Sequence, residues 1–250
     1  MLNVTDLGSG VPVVWVHGFP LASSIFENQL AILGVRHVMP DLPGFGQSRM
    51  SGGSVTIDDY AHVIIDVLNQ RGLDRAVLAG LSMGGYVCLA VARLAPERLR
   101  GLILIDTRAG ADSEEGRQAR YDSIETIRER GIEPVVESML PKMLTAAAPE
   151  SMRMRVHEIM TSTTAEGAMA AQAAMATRQD STALLRRIEV PTLVIVGEED
   201  PITPPAEAEK MAAAIAGARL FRISGAAHLS NYEKADEVNR ICGAFVAKLP

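Results

Sequence analysis

Gly80-Leu81-Ser82-Met83-Gly84-Gly85 sets a serine among small residues, directly after the apolar run Ala76-Val77-Leu78-Ala79 and before a mostly apolar stretch over 86–95. A short apolar strand, a Gly-x-Ser-x-Gly turn and a helix are the context in which this pattern means a nucleophile elbow. The serine of such a turn sits on sharp, strained backbone, so its neighbours must be small for strand and helix to approach. A hydroxyl is a poor nucleophile near neutrality; it needs a base to take its proton and an acid to orient that base. His228 is the candidate base, in the loop Ser224-Gly225-Ala226-Ala227-His228-Leu229-Ser230 that follows the last predicted strand. His17 ends an early strand, His37 lies within one, and His62 and His157 fall on helices. Asp200, in Gly197-Glu198-Glu199-Asp200-Pro201, follows a strand over 193–197 and precedes His228, which fits the order Ser, Asp, His. Asp106 ends the strand after the elbow and is the competing acid, while Glu198 and Glu199 read as solvated loop charges.

Acyl transfer also needs donors aimed at a developing oxyanion. The backbone N–H of Met83, in the first turn of the helix, is one, because N–H groups there are free and the helix dipole favours an anion. His17-Gly18-Phe19-Pro20, after a strand over 11–17, supplies the second through the N–H of Phe19; Pro20 has none to give.

The elements that carry these residues alternate. Strands are predicted over 11–17, 36–40, 76–80, 99–105, 191–197 and 219–223. Thr56 caps a helix whose Tyr60, Val63, Ile64, Val67 and Leu68 form one stripe, ended by Gly72. Further helices follow the elbow and span about 205–216 and 234–247. Strands alternating with helices predict a parallel, doubly wound α/β sheet, in which catalytic groups project from the carboxyl ends of strands. Between Asp106 and Ile188 the rhythm becomes helical only. Val136, Met139, Leu140, Met143 and Leu144 share one face there, and Met152, Val156, Ile159 and Met160 another. Residues 107–188 are therefore expected to form a helical cap over a core of 1–106 and 189–250. Seven of the twelve methionines lie in this segment, where flexible thioethers suit either a pocket roof or ordinary core. Pro20, Leu21, Met139, Met143 and Leu144 are the candidate pocket residues.

Composition narrows the setting. A chain of 250 residues with 48% apolar content can build one large core, and its net charge of −6 comes with no basic tract for nucleic acid or an anionic membrane. No apolar run is long enough to span a bilayer. The start, Met1-Leu2-Asn3-Val4-Thr5-Asp6, lacks the basic and apolar parts of a signal peptide, so a cytoplasmic protein is expected. Cys88 and Cys242 then read as buried thiols, and their spacing matches no metal site.

Taken together and in order, His-Gly-Phe-Pro at 17–20, Asp-Leu-Pro-Gly-Phe-Gly-Gln-Ser at 41–48, the elbow, the Asp200 loop and Gly-Ala-Ala-His at 225–228 resemble the α/β-hydrolase superfamily over nearly the whole chain. Within it the chain is most similar to small bacterial carboxylesterases and 3-oxoadipate enol-lactonases, and it also resembles the cofactor-free perhydrolases. The resemblance implies a mostly parallel central sheet flanked by helices, with the cap between the family's sixth and seventh strands. Only about ten residues precede the His-Gly strand, so the family's first strand is expected to be missing. It also implies a serine hydrolase of esters or lactones working through an acyl-enzyme, with a small-molecule substrate and no metal or organic cofactor. Lactonase, perhydrolase and non-catalytic ligand receptor are the alternatives. Related dehalogenases and epoxide hydrolases carry Asp as nucleophile, which Ser82 excludes.

Overall fold

The structure, a computed structural model, describes residues 2–50 and 55–249. The described residues form one seven-stranded sheet in the order β1-β3-β2-β4-β5-β6-β7. Its strands are β1 (Val4–Gly8), β2 (Val11–Val16), β3 (Val35–Pro40), β4 (Ala76–Leu81), β5 (Leu99–Ile105), β6 (Thr192–Gly197) and β7 (Arg219–Ile223). Only β1 runs antiparallel, pairing with β3 at the edge. One strand thus precedes the His-Gly strand, and the helical segment falls between the fifth and sixth strands. Both features agree with the expected fold lacking one family strand.

Apolar content on both faces explains the burial. Val14, Val16, Leu78, Leu102, Leu104, Val194 and Val196 point to one side and join α1 (Ile57–Gln70), α2 (Met83–Leu94) and α8 (Pro205–Ala214). Val13, Trp15, Val77, Ala79, Ile103, Ile105, Leu193 and Ile195 point to the other, against α10 (Ala235–Val246) and a 3-10 helix, Ser23–Ala31. Alternate residues of a strand face opposite sides, so a strand covered twice is a continuous apolar run. Helix α1 begins as expected at Thr56, whose hydroxyl accepts the N–H of Asp59 while Asp59 accepts that of Thr56.

Between β5 and β6 lie α3 (Glu114–Arg130), α4 (Glu133–Met143), α5 (Glu150–Thr161), α6 (Ala165–Ala176) and a single turn, α7 (Thr182–Leu185). The alanines of α6 allow close approach: Ala168, Ala171 and Ala174 are fully buried, and a Cβ on Gly167 would meet the Gly44 carbonyl oxygen at 2.2 Å. Cys88 and Cys242 are both buried free thiols. No described helix is long and apolar enough to cross a membrane.

Because β2, β4, β5, β6 and β7 are parallel and nearly in register, their carboxyl ends fall along one edge. Val16 pairs with Gly80, Leu81 with Ile105, Ile105 with Ile195, and Gly197 with Ile223. Every candidate catalytic residue leaves the sheet along that edge.

Candidate active site

Ser82 sits between the last residue of β4 and the first of α2 with φ 54° and ψ −115°, a region a non-glycine residue rarely enters. The surroundings hold it there. Its N–H donates to the Ile105 carbonyl at 2.9 Å, and its own carbonyl accepts from Gly85 N at 2.9 Å and from Thr107 Oγ1 at 2.7 Å. The glycines follow from sterics: a Cβ on Gly84 would lie 1.9 Å from the Val16 carbonyl oxygen, and one on Gly80 2.4 Å from that of Gly84. Any side chain at either position would push α2 off the sheet.

Ser82 Oγ and His228 Nε2 are 2.8 Å apart, and His228 Nδ1 lies 2.8 Å from Asp200 Oδ2. Facing a carboxylate, Nδ1 must carry the ring proton, which leaves Nε2 as the acceptor for the serine hydroxyl. Asp200 is fixed by its own loop. Oδ1 accepts the N–H groups of Ile202 at 2.8 Å and Thr203 at 3.0 Å, and Oδ2 also accepts the Thr203 hydroxyl at 2.7 Å. Burial opposes charge on both partners, yet each stabilises the other's ion. The charge and hydrogen bond of Asp200 hold His228 above the ordinary histidine pKa. His228 and the Thr203 donors hold Asp200 below the ordinary carboxylate range. In this arrangement a proton can pass from Ser82 to His228 while Asp200 keeps the ring oriented and offsets its charge.

Asp106 is nearby but engaged otherwise. Its carboxylate accepts Gly197 N at 2.9 Å, Ser230 N at 2.9 Å and Ser230 Oγ at 2.6 Å, tying the end of β5 to the β6 and His228 loops. Complete burial, and then the neighbouring Asp200 charge, push its pKa up to about 7.

The loop after β2 lies directly against the serine: a Cβ on Gly18 would meet Leu81 O and Ser82 Cβ, each at 3.0 Å. His17 braces this loop, its Nε2 accepting Leu42 N at 3.0 Å. Phe19 N–H has no acceptor among the described residues, and Met83 N–H opens α2, where no intrahelical acceptor exists. Both expected donors are thus uncommitted beside Ser82.

The apolar candidates fall in different places. Leu21, Met143 and Leu144 are buried in one cluster, and the carbonyl of Pro20 accepts the Thr163 hydroxyl at 3.0 Å. Met139 is only half-buried and lines an outer cleft. Met143 adjoins the histidine loop, its carbonyl accepting Leu229 N at 3.0 Å. Sequence reasoning missed a second tie at this point. Glu233 accepts Thr145 N at 2.9 Å and Thr145 Oγ1 at 2.7 Å through one oxygen, and Ala227 N at 2.7 Å through the other. One carboxylate therefore links the helical segment to the residue before His228. Farther out, Glu27 takes both Arg155 of α5 at 2.9 Å and the Tyr232 hydroxyl at 2.7 Å. No local pattern marks these pairs.

The fold has close counterparts. A thermophilic esterase from Thermogutta terrifontis, solved with malate bound, is 38% identical and superposes with a TM-score of 0.96 over 99% of this chain and 93% of that one. The enol-lactonase from Burkholderia xenovorans is 27% identical, with a TM-score of 0.92 over 99% and 96% of the two chains. 3-Oxoadipate enol-lactonase 2 of Acinetobacter baylyi is 27% identical over 231 residues, covering 90% of this chain and 84% of its own. The family described as alpha/beta hydrolase fold matches residues 11–235, the span that carries every strand from β2 to β7 and every residue of the site just described. The chain belongs to the alpha/beta hydrolase fold family.

Proposed function

We propose that this protein is a serine hydrolase that cleaves a small carboxylic ester or lactone through an acyl-enzyme. The unbroken chain from Ser82 Oγ through His228 to Asp200, at 2.8 Å for each step, is the observation that carries this reading. Similarity to an esterase and to enol-lactonases supports an ester or a lactone as the scissile group. Ser82 Oγ attacks the carbonyl carbon as its proton moves to His228 Nε2. The oxyanion forms against the N–H groups of Phe19 and Met83, which are held in place beforehand and need no reorganisation. Collapse of the tetrahedral intermediate expels the alcohol, or opens the lactone ring, with the proton returned by His228. Water, deprotonated by the same imidazole, then attacks the acyl-enzyme, releasing the acid and restoring Ser82. Helices α3 to α7 act as the cap that selects the acyl and alcohol parts.

The test is turnover of p-nitrophenyl acetate and a panel of esters and lactones by the wild type and by Ser82→Ala. Losing the hydroxyl is expected to lower kcat on the order of 10⁵-fold or more with the melting temperature nearly unchanged. Near-full activity in the alanine variant would sink the assignment.

A further inference from the structure

The helical segment holds a second polar cluster that the proton path does not use. Asp112, between β5 and α3, has a side chain only 1% exposed, and three guanidiniums converge on it. Arg108 and Arg120 each pair with one of its oxygens, and Arg178 reaches Oδ1 at 2.9 Å and Oδ2 at 2.8 Å. Burial alone would favour the neutral acid, but the Arg178 and Arg120 hydrogen bonds hold Asp112 far below the ordinary carboxylate range.

Arg178 is the buried anchor of this cluster. It stacks over the Tyr86 ring at 4.2 Å and donates to the carbonyls of Met175 at 2.9 Å and Gly110 at 2.8 Å. Arg108 and Arg120 are more open, with side chains 29% and 19% exposed, and Arg120 Nη1 also donates to Gln172 Oε1 at 3.0 Å. They line a cleft of about 610 Å³ walled by α3, α4 and Ile202. Arg130 and Lys142 also line it, and neither is paired with a carboxylate among the described residues. The acids of the lining are Asp112, already shared by three arginines, and Asp122, which accepts from Gln118 at 2.8 Å. Glu207, behind the cluster, acts on Arg108.

A tie whose only purpose is to fix α3 needs no third guanidinium, and partly desolvated cations in excess of their counter-ions are unfavourable. We propose that this cleft is an anion-binding site that takes a small molecule bearing a carboxylate, held by the remaining guanidinium N–H groups, Nη1 of Arg108 and Nη2 of Arg120. Charge-assisted N–H···O⁻ bonds from two guanidiniums suit the two oxygens of a carboxylate, and Met139 and Ile202 offer apolar wall to a short carbon chain. Two lining residues connect the cleft to the Ser82 site. Arg108 follows Thr107, whose hydroxyl donates to Ser82 O, and the N–H of Ile202 donates to Asp200. The carboxylate belongs either to an arm of the substrate or to a separate effector. Binding stands on the cluster alone; its connection to turnover rests on the serine hydrolase reading.

Calorimetric titration of the full-length wild type with malonate, and with its neutral counterpart malonamide, tests this without any variant. Malonate is expected to bind at least about tenfold more tightly than malonamide, as charge-assisted hydrogen bonds require. Arg108→Gln and Arg120→Gln are each expected to weaken malonate about tenfold, with melting temperatures recorded alongside. Competitive inhibition of p-nitrophenyl acetate turnover, relieved in the arginine variants, would identify the carboxylate as a substrate arm. Non-competitive inhibition relieved in the same way would identify a separate effector. Absence of saturable malonate binding, equal affinity for malonamide, or unchanged affinity in both folded variants would overturn the proposal. Turnover that still depends on Ser82 in that event would leave the hydrolase reading intact.

Discussion

Replacing Asp200 by Asn separates the two acids that compete for His228. Four donors converge on the Asp200 carboxylate: the N–H groups of Ile202 and Thr203 on one oxygen, the Thr203 hydroxyl and His228 Nδ1 on the other. An asparagine has one acceptor oxygen and one donor amide. The least damaging orientation keeps the oxygen on the two backbone N–H groups, which cannot turn away, and points the amide at His228. The imidazole must then accept at Nδ1 and move its proton to Nε2, where it faces Ser82 and cannot act as base. The loss expected for a wrong tautomer in otherwise intact geometry is on the order of 10⁴ in kcat, which is about 5.5 kcal/mol of transition-state stabilisation. Asp106→Asn offers the contrast, since that carboxylate touches Gly197 and Ser230 but not the ring. It should lower the melting temperature, because a buried donor is left facing an amide, yet retain far more activity than Asp200→Asn. The assay is kcat/KM on p-nitrophenyl acetate, with circular dichroism melts to confirm folding. Asp200→Asn keeping more than about a tenth of wild-type kcat/KM, or Asp106→Asn falling further than Asp200→Asn, would refute the assignment of the orienting acid.

Three other outcomes follow from the geometry. The base works only as neutral imidazole, and Asp200 raises the pKa of His228; the acid limb of kcat/KM should therefore lie above the ordinary histidine value, with activity lost as pH falls through it. A pH–rate profile with its midpoint at or below the ordinary value would contradict this. Gly84→Ala drives a Cβ to 1.9 Å from the Val16 carbonyl oxygen, so overpacking of about 1–3 kcal/mol is expected. A thermal melt should show it as a loss of several degrees, together with reduced kcat because the loop over 17–19 must shift. Glu233→Ala unties Thr145 from the His228 loop, leaving three donors without their acceptor. Its kcat should fall several-fold with a stability loss of about 1–3 kcal/mol, both measurable beside the wild type.

What the sequence makes legible here is what strand periodicity and chain order encode. Ser82 and Asp200 each follow an apolar run and His228 follows the mixed strand Arg219–Ile223, and the parallel register brings those ends together. The choice between Asp200 and Asp106 is less legible, because both sit at strand ends. The hydrogen bond between His228 Nδ1 and Asp200, together with the donors that occupy Asp106, separates them. The 3-10 helix Ser23–Ala31 carries no 3.6-residue stripe and escapes periodicity analysis, although Ile25 and Phe26 are fully buried. Apolar character likewise does not separate a pocket wall from core. Met143 and Leu144 lie in the buried cluster, whereas Met139 on the same helix lines the outer cleft. Glu233, Thr145 and the arginines around Asp112 pair across the chain through tertiary packing, which leaves no mark in a local window.

The central claim is that Ser82 is the nucleophile, and covalent trapping tests it most directly. Wild-type protein treated with a fluorophosphonate and digested for mass spectrometry should carry one phosphonyl adduct, on the peptide containing Ser82. The adduct should vanish in Ser82→Ala and form much more slowly in a folded His228→Ala variant. An adduct on another residue, an adduct that persists in Ser82→Ala, or full esterase turnover by protein that the probe does not modify would contradict the account.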